Sequence, residues 1–193
     1  MIGYRNSCAP VEVSFSAAAL GDNLVARWLR QHRLGVDVHT LAELHSAISV
    51  GIHPVLMTVH ADQLDVGDIR RASAAGVGRV VLSRPDQITS SRIKRTQNVL
   101  VRMTDVSHTD AATDAVIDCR STTLIGLFCD VGTSAAIADM IAQMDHIRRR
   151  HNVVLTRLVL AVGSAVAAEE IDESVHDACA AMRFPRPIIV MAA

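Results

Sequence analysis

The sequence predicts an α/β fold closed as a parallel (β/α)8 barrel, in a single domain over residues 1–193. Apolar runs of strand length alternate with longer segments of helical period along the whole chain, the pattern that right-handed strand–helix–strand units give to a parallel sheet. Eight such strand runs are separated by seven helical segments, which fits a closed barrel. With 193 residues, half of them hydrophobic, the chain can bury one sizeable core, and no Pro/Gly/Ser-rich linker divides it.

The elements follow in order. After a short tail at residues 1–10, residues 11–16 read as a strand and 22–32 as a helix with Leu24, Val25, Trp28 and Leu29 on one stripe. Residues 35–38 form the second strand, followed by a helix over 41–50 with Leu41, Leu44 and Ile48 at helical spacing. A strand at 55–59, a helix at 66–75 and a strand at 79–82 come next. The helix over 85–92 starts with Pro85 in its first turn, where a missing N–H removes no helical bond. Residues 98–103 make a strand, 109–116 a helix and 124–129 a strand. The helix at 134–150 carries Ile137, Met140, Ile141 and Met144 on one face. A strand at 157–162, a helix at 167–182 and a final strand at 187–191 complete the count. Gly51, Pro54, Gly76, Gly78 and Pro85 fall at the turns. The barrel is minimal, since about 200–250 residues are usual, and the sequence stops on the eighth strand with no helix behind it.

Composition narrows the function classes. Lys and Arg number 19 against 20 Asp and Glu, a net charge of -1, which gives no electrostatic case for nucleic acid or an anionic membrane surface. The dense run Arg148-Arg149-Arg150 ends a helical segment, where cations complement the helix dipole. Aromatics are 3%, too few for stacking platforms. Cys8, Cys119, Cys129 and Cys179 show no CxxC spacing. No apolar run serves as a secretory signal or reaches the roughly 18 residues of a membrane span. The expectation is a cytoplasmic protein with reduced thiols.

In parallel α/β folds ligands bind at the carboxyl ends of the strands. The stretch Leu34 to Leu44, LGVDVHTLAEL, runs from a strand through a turn into a helix. It places Asp37 and Glu43 where chemistry is expected, and Asp130 follows the sixth strand. Paired carboxylates suit acid/base work, although Asp37 and Glu43 also suit helix capping. His39 lies in the same turn and joins Asp37, Glu43 and His60 as a candidate polar cluster, for acid/base or metal chemistry. None of the nine histidines makes a His-x-x-x-His or His-Glu-x-x-His spacing, so no metal site is expected.

Several motifs carry a resemblance. Gly35, Asp37, Val38, Thr40, Glu43 and Leu44 match a Gly-x-Asp-Val-x-Ser-x-x-Glu-Leu pattern. Residues 75–79 (AGVGR), 126–133 (GLFCDVGT, against Gly-Leu-His-x-His-x-Gly-Ser) and 158–163 (LVLAVG, against Leu-x-Leu-Gly-Gly-Gly) follow. The last five residues, IVMAA, fall on Val-Glu-Pro-Gly-Arg. On these, the chain resembles the barrel domain of the pyridoxal-phosphate-dependent diaminopimelate and ornithine decarboxylases. The resemblance implies a TIM-type barrel of the alanine racemase and decarboxylase kind, lacking the C-terminal β-domain that in the family helps complete the site across a dimer.

The same resemblance frames the cofactor. In the family a lysine amine forms an imine with the pyridoxal phosphate aldehyde. Here Ser16 stands at that position, and the only lysine, Lys94 in SSRIKRTQ, is expected on the surface. Asp130 replaces a histidine that stacks on the cofactor ring. Ala161 and Val162 replace two phosphate-loop glycines and leave Gly163, while Gly132 and Thr133 remain. Met191 replaces an acidic residue, and the segment between Met103 and Leu124 is short for the family. The expectation is therefore that pyridoxal phosphate has been lost and that Ser16, Asp130, Gly132, Thr133 and Gly163 mark a degenerate cofactor site. No catalytic residue is assigned beyond the candidates Asp37, Glu43 and Asp130. The implied function is a catalytically degenerate, non-catalytic binding or regulatory barrel. The alternatives are pyridoxal-phosphate-independent chemistry at the barrel mouth and a residual pyridoxal-phosphate-binding protein. The partner is an unidentified small molecule or protein, and the apolar end FPRPIIVMAA points to homo- or hetero-oligomerisation through the last strand.

Overall fold

A computed structural model describes residues 11–89, 95–161 and 168–192. Eight parallel strands close in sequence order: β1 (Glu12–Ser16), β2 (Gly35–Val38), β3 (Met57–His60), β4 (Arg79–Leu82), β5 (Gln97–Arg102), β6 (Thr122–Cys129), β7 (Arg157–Ala161) and β8 (Ile188–Ala192). The ring is sealed by Val13 opposite Met191. Between the strands lie α1 (Asn23–His32), α2 (Leu41–Ser49), α3 (Val66–Ala74), α4 (Asp86–Thr89), α5 (Val106–Asp118), α6 (Ser134–His151) and α7 (Ala168–Met182). The (β/α)8 fold expected from the alternation is the fold observed. The end of the helix expected over 85–92 lies outside the described residues, as does Lys94.

Local chemistry sets the helix ends. The Asp22 carboxylate accepts from the backbone N–H of Leu24 at 2.7 Å to start α1, and Arg33 ends it in the left-handed region at φ 54°. Asp105 caps α5 by accepting from His108 N–H, which begins that helix three residues before the expected 109. Two short 3-10 turns, Ala17–Gly21 and Pro54–Leu56, were not expected. The second delays β3, because His53 caps it through Nδ1, which accepts from Val55 N–H.

One core fills the space between sheet and helices, with Leu29, Leu44, Ile69 and Met140 fully or almost fully buried. Burying such a side chain stabilises by about 1.5–3 kcal/mol. The stripe expected on α1 is rotated: Ala26 and Leu29 face inward, whereas Leu24 is 77% and Trp28 45% exposed. Trp28 packs instead at the helix edge against Phe15, at 5.8 Å between ring centres.

Register decides what points into the barrel. The pairs Ser16 with Asp37, Asp37 with Thr58, His60 with Val81 and Val81 with Leu100 lie on one face. Arg102 with Phe128, Phe128 with Val159 and Val159 with Val190 continue it. Val81, Leu100, Phe128, Val159 and Val190 pack there as a second apolar cluster, separate from the outer core. Ile125 is bulged out of the β5–β6 pairing, which jumps from Leu124 to Gly126. A Cβ at Gly126 would sit 2.0 Å from the Arg157 carbonyl oxygen, so glycine permits this phase. At the amino-terminal rim Glu12 accepts from Arg157 at 2.7 Å, with Arg79 3.7 Å away. Among the described residues no helix is long and apolar enough to cross a membrane.

Candidate functional site

The carboxyl ends of the strands surround a cavity of about 180 Å³ lined by Ser16, Asp37, His39, His60, Arg102 and Asp130, with Phe128, Ala161 and Ala192 as its apolar wall. Its centre is Arg102, at the end of β5. One guanidinium nitrogen donates to Asp62 at 2.7 Å and also reaches His60 Nδ1 at 3.4 Å, while the other pairs with the Asp130 carboxylate. The guanidinium lies over the Phe128 ring, 4.6 Å from its centre, a cation–π contact.

His60 is 3% exposed and held on both sides. Arginine only donates, so Nδ1 accepts from Arg102, and the Nε2 proton faces Asp37 Oδ1 at 3.4 Å. His39 stacks on His60 with ring centres 4.4 Å apart. Burial first, and then the neighbouring His60, push the His39 pKa below its ordinary 6.5, with Glu43 and Asp37 pulling the other way. Asp37 is 6% exposed, and among the described residues its Oδ2 has no partner; neither has Arg102 Nε. The mouth thus keeps one acceptor and one donor unsatisfied, each costing about 1–3 kcal/mol when buried.

The sequence candidates divide. Asp37, Asp130, His39, His60 and Ser16 are brought together. Glu43 is not at the cavity: its carboxylate accepts from His39 N–H at 2.6 Å and its own N–H donates to Thr40 Oγ1 at 3.1 Å, a reciprocal cap for α2. Gly132 is buried in the turn after β6, and Thr133 caps α6 by accepting from Ala136 N–H. Ser16 Oγ accepts from Ala18 N–H at 3.3 Å. Of the loop that Gly163 was assigned to, Ala161 ends β7 and lines the cavity, whereas Val162 and Gly163 lie outside the described residues. Among the described residues no group of three His, Cys, Asp or Glu is placed to hold a metal ion. Sequence reading missed Arg102 and Asp62. The signal available was an arginine two residues after the inward-facing Leu100 in an otherwise apolar strand.

The mouth suits pyridoxal phosphate as a held ligand and not as a covalent partner at residue 16. Arg102 and His39 offer donors for an anionic group and Phe128 offers an apolar wall, but a serine hydroxyl forms no imine.

Comparison with known proteins agrees with this setting. The pyridoxal binding domain of the pyridoxal-dependent decarboxylases matches residues 1–186. A diaminopimelate decarboxylase of Actinosynnema pretiosum subsp. auranticum is 31% identical over 156 residues, covering 67% of this chain and 36% of that protein. The Mycobacterium tuberculosis diaminopimelate decarboxylase is 28% identical over 143 residues, covering 70% and 31%. The chain thus spans well under half the length of these relatives. The diaminopimelate decarboxylase structure from M. jannaschi superposes with a TM-score of 0.81 at 10% identity, over 97% of this chain and 54% of that one. Ornithine decarboxylase from Entamoeba histolytica gives 0.77 at 14%, over 95% and 57%. At these identities the likeness is one of fold.

These matches correct the expectation that pyridoxal phosphate has been lost, because the matched domain is a pyridoxal-binding one and nothing in the described residues shows loss. The Asp130 carboxylate, expected to repel the cofactor, is paired with Arg102, which it shares with Asp62. On the extent of the match, the chain belongs to the pyridoxal-dependent decarboxylase family, through its pyridoxal-binding barrel.

Proposed function

We propose that this barrel holds a ligand of the pyridoxal phosphate type at its mouth without attaching it at residue 16, and serves as a binding or regulatory barrel without decarboxylase turnover of its own. Ser16 carries the reading. It lines the cavity at the end of β1 with its hydroxyl engaged by Ala18 N–H, and among the described residues no lysine lines the mouth. The cofactor, when bound, supplies an electron-withdrawing ring. The chain's own residues hold and orient: Arg102 provides the cation, Phe128 the apolar wall, and His60 fixes the Asp37 carboxylate. The test is equilibrium binding of pyridoxal phosphate, borohydride trapping with peptide mapping, and CO2 release from meso-diaminopimelate. Saturable binding that weakens about tenfold in Arg102→Gln, with no trapped adduct and no CO2, is expected. CO2 release by the unaltered protein, or a trapped adduct on Lys94, overturns the reading.

The convergence of Asp37, His39 and Asp130 on one cavity favours a second reading, acid/base chemistry independent of pyridoxal phosphate. Turnover of an amino acid that survives cofactor removal and falls in His39→Gln would select it. In either reading the protein is proposed to act in the cytoplasm and to associate with a second copy through the β8 region, where Met191 is half-buried beside Val13, itself 38% exposed. Light scattering that shows a monomer counts against this association.

A further inference from the structure

Away from the mouth, on the outer wall, the groove between α1 and α2 leads down to the loop before β3. Two adjoining cavities lie in it. One, of about 380 Å³, is lined by Asn23, Arg27, Arg30 and Ser49 among others, and the second, of about 180 Å³, by Arg30, Arg33, Gly51 and His53. Arg30 and Gly51 belong to both, and among the described residues no acidic one lines either. Among the described residues Arg27, Arg30 and Arg33 have no carboxylate partner, whereas Arg71, Arg148 and Arg186 each hold one and Arg102 holds two.

The groove is built to present donors. Arg30 donates to the Val50 carbonyl at 3.1 Å. It lies across Gly51, where a Cβ would come within 3.1 Å of the guanidinium, and where φ is +87°. His53 Nδ1 accepts from Val55 N–H at 3.2 Å, so in the neutral ring the proton sits on Nε2 and remains to donate. A cation at the end of α1 complements the helix dipole, which accounts for one arginine. Arg27 and Arg30, three residues apart, repel each other unless an anion lies between them.

We propose that this groove binds a diphosphate group, one phosphoryl in each cavity with Arg30 bridging the two. Guanidinium pairs suit phosphate oxygens bidentately. Apart from His53 no aromatic ring lines the groove, so a nucleobase finds no platform.

Calorimetric titration with inorganic pyrophosphate, orthophosphate and ADP tests the proposal. Pyrophosphate is expected to bind about tenfold more tightly than orthophosphate, and ADP about as tightly as pyrophosphate. A triple Arg27→Gln, Arg30→Gln, Arg33→Gln variant is expected to lose affinity about tenfold or more, Arg33→Gln alone a smaller factor, and Arg149→Gln on the exposed side of α6 none. The three side chains are exposed, so the triple variant should melt as the parent does; Arg33→Gln decides the matter if it does not. Absence of binding at low ionic strength, unchanged affinity in the groove variants, or loss of binding in Arg149→Gln overturns the inference.

Discussion

Strands β4–β8 turn Val81, Leu100, Phe128, Val159 and Val190 into the barrel, whereas β1–β3 turn in Ser14, Asp37, Thr58 and His60, all as deeply buried. The five apolar side chains pack together as one cluster. In the polar half Ser14 Oγ and Asp37 Oδ2 have no partner among the described residues, a state that buried polar groups usually avoid. Two sides of one barrel with the same geometry thus divide the work: one supports the mouth and the other presents chemistry to it. Arg102 and Phe128 form the seam, since Arg102 leaves the apolar side to bind Asp62 and His60 while resting on the Phe128 ring. A guanidinium laid on a packed ring loses less rotamer freedom when it meets a ligand.

The comparison can be broken from either side. Phe128→Ala should destabilise by about 3–5 kcal/mol through the cavity it leaves, read as a lower denaturation midpoint; a change below that range would mean that the apolar half is not the support. His60→Ala comes next, at about 1.5–3 kcal/mol, because it strips the partner from a buried carboxylate. A loss equal to that of Phe128→Ala would erase the distinction between the halves. The smallest effect is electrostatic. The folded His39 pKa lies below the unfolded 6.5, so on acidification the unfolded chain takes up this proton first. Its contribution is complete above about pH 6.5 and declines as pH falls through and below that value. Urea titrations at a series of pH values should show this decline, and His39→Gln should flatten it; a slope unchanged in the variant would assign it elsewhere.

Much of the fold was legible in the chain. Apolar runs placed β2 and β4 at the observed residues, and Thr133 and Asp22 stand where the helices start. Much of the mouth was legible as well, since Ser16, Asp37, His39, His60 and Asp130 were all singled out, whereas Arg102, which ties them together, was not. Of the two readings of Glu43, the cap is the one its contacts match, because a first-turn carboxylate serves a cap as readily as a reaction. The orientation of α1 was misread for a related reason: Leu24 and Trp28 fit a helical stripe, but how the helix docks on β1 and β2 decides which stripe is buried.

What the amino acids settled on their own is the order and kind of the elements, because periodicity and capping depend on residues two to four positions apart. The mouth came from elsewhere. Asp37, His60, Asp62, Arg102 and Asp130 belong to four strand ends, and they meet only because the β5–β6 ladder slips at Gly126 and the eight registers close on themselves. Those are long-range pairings that no local pattern encodes.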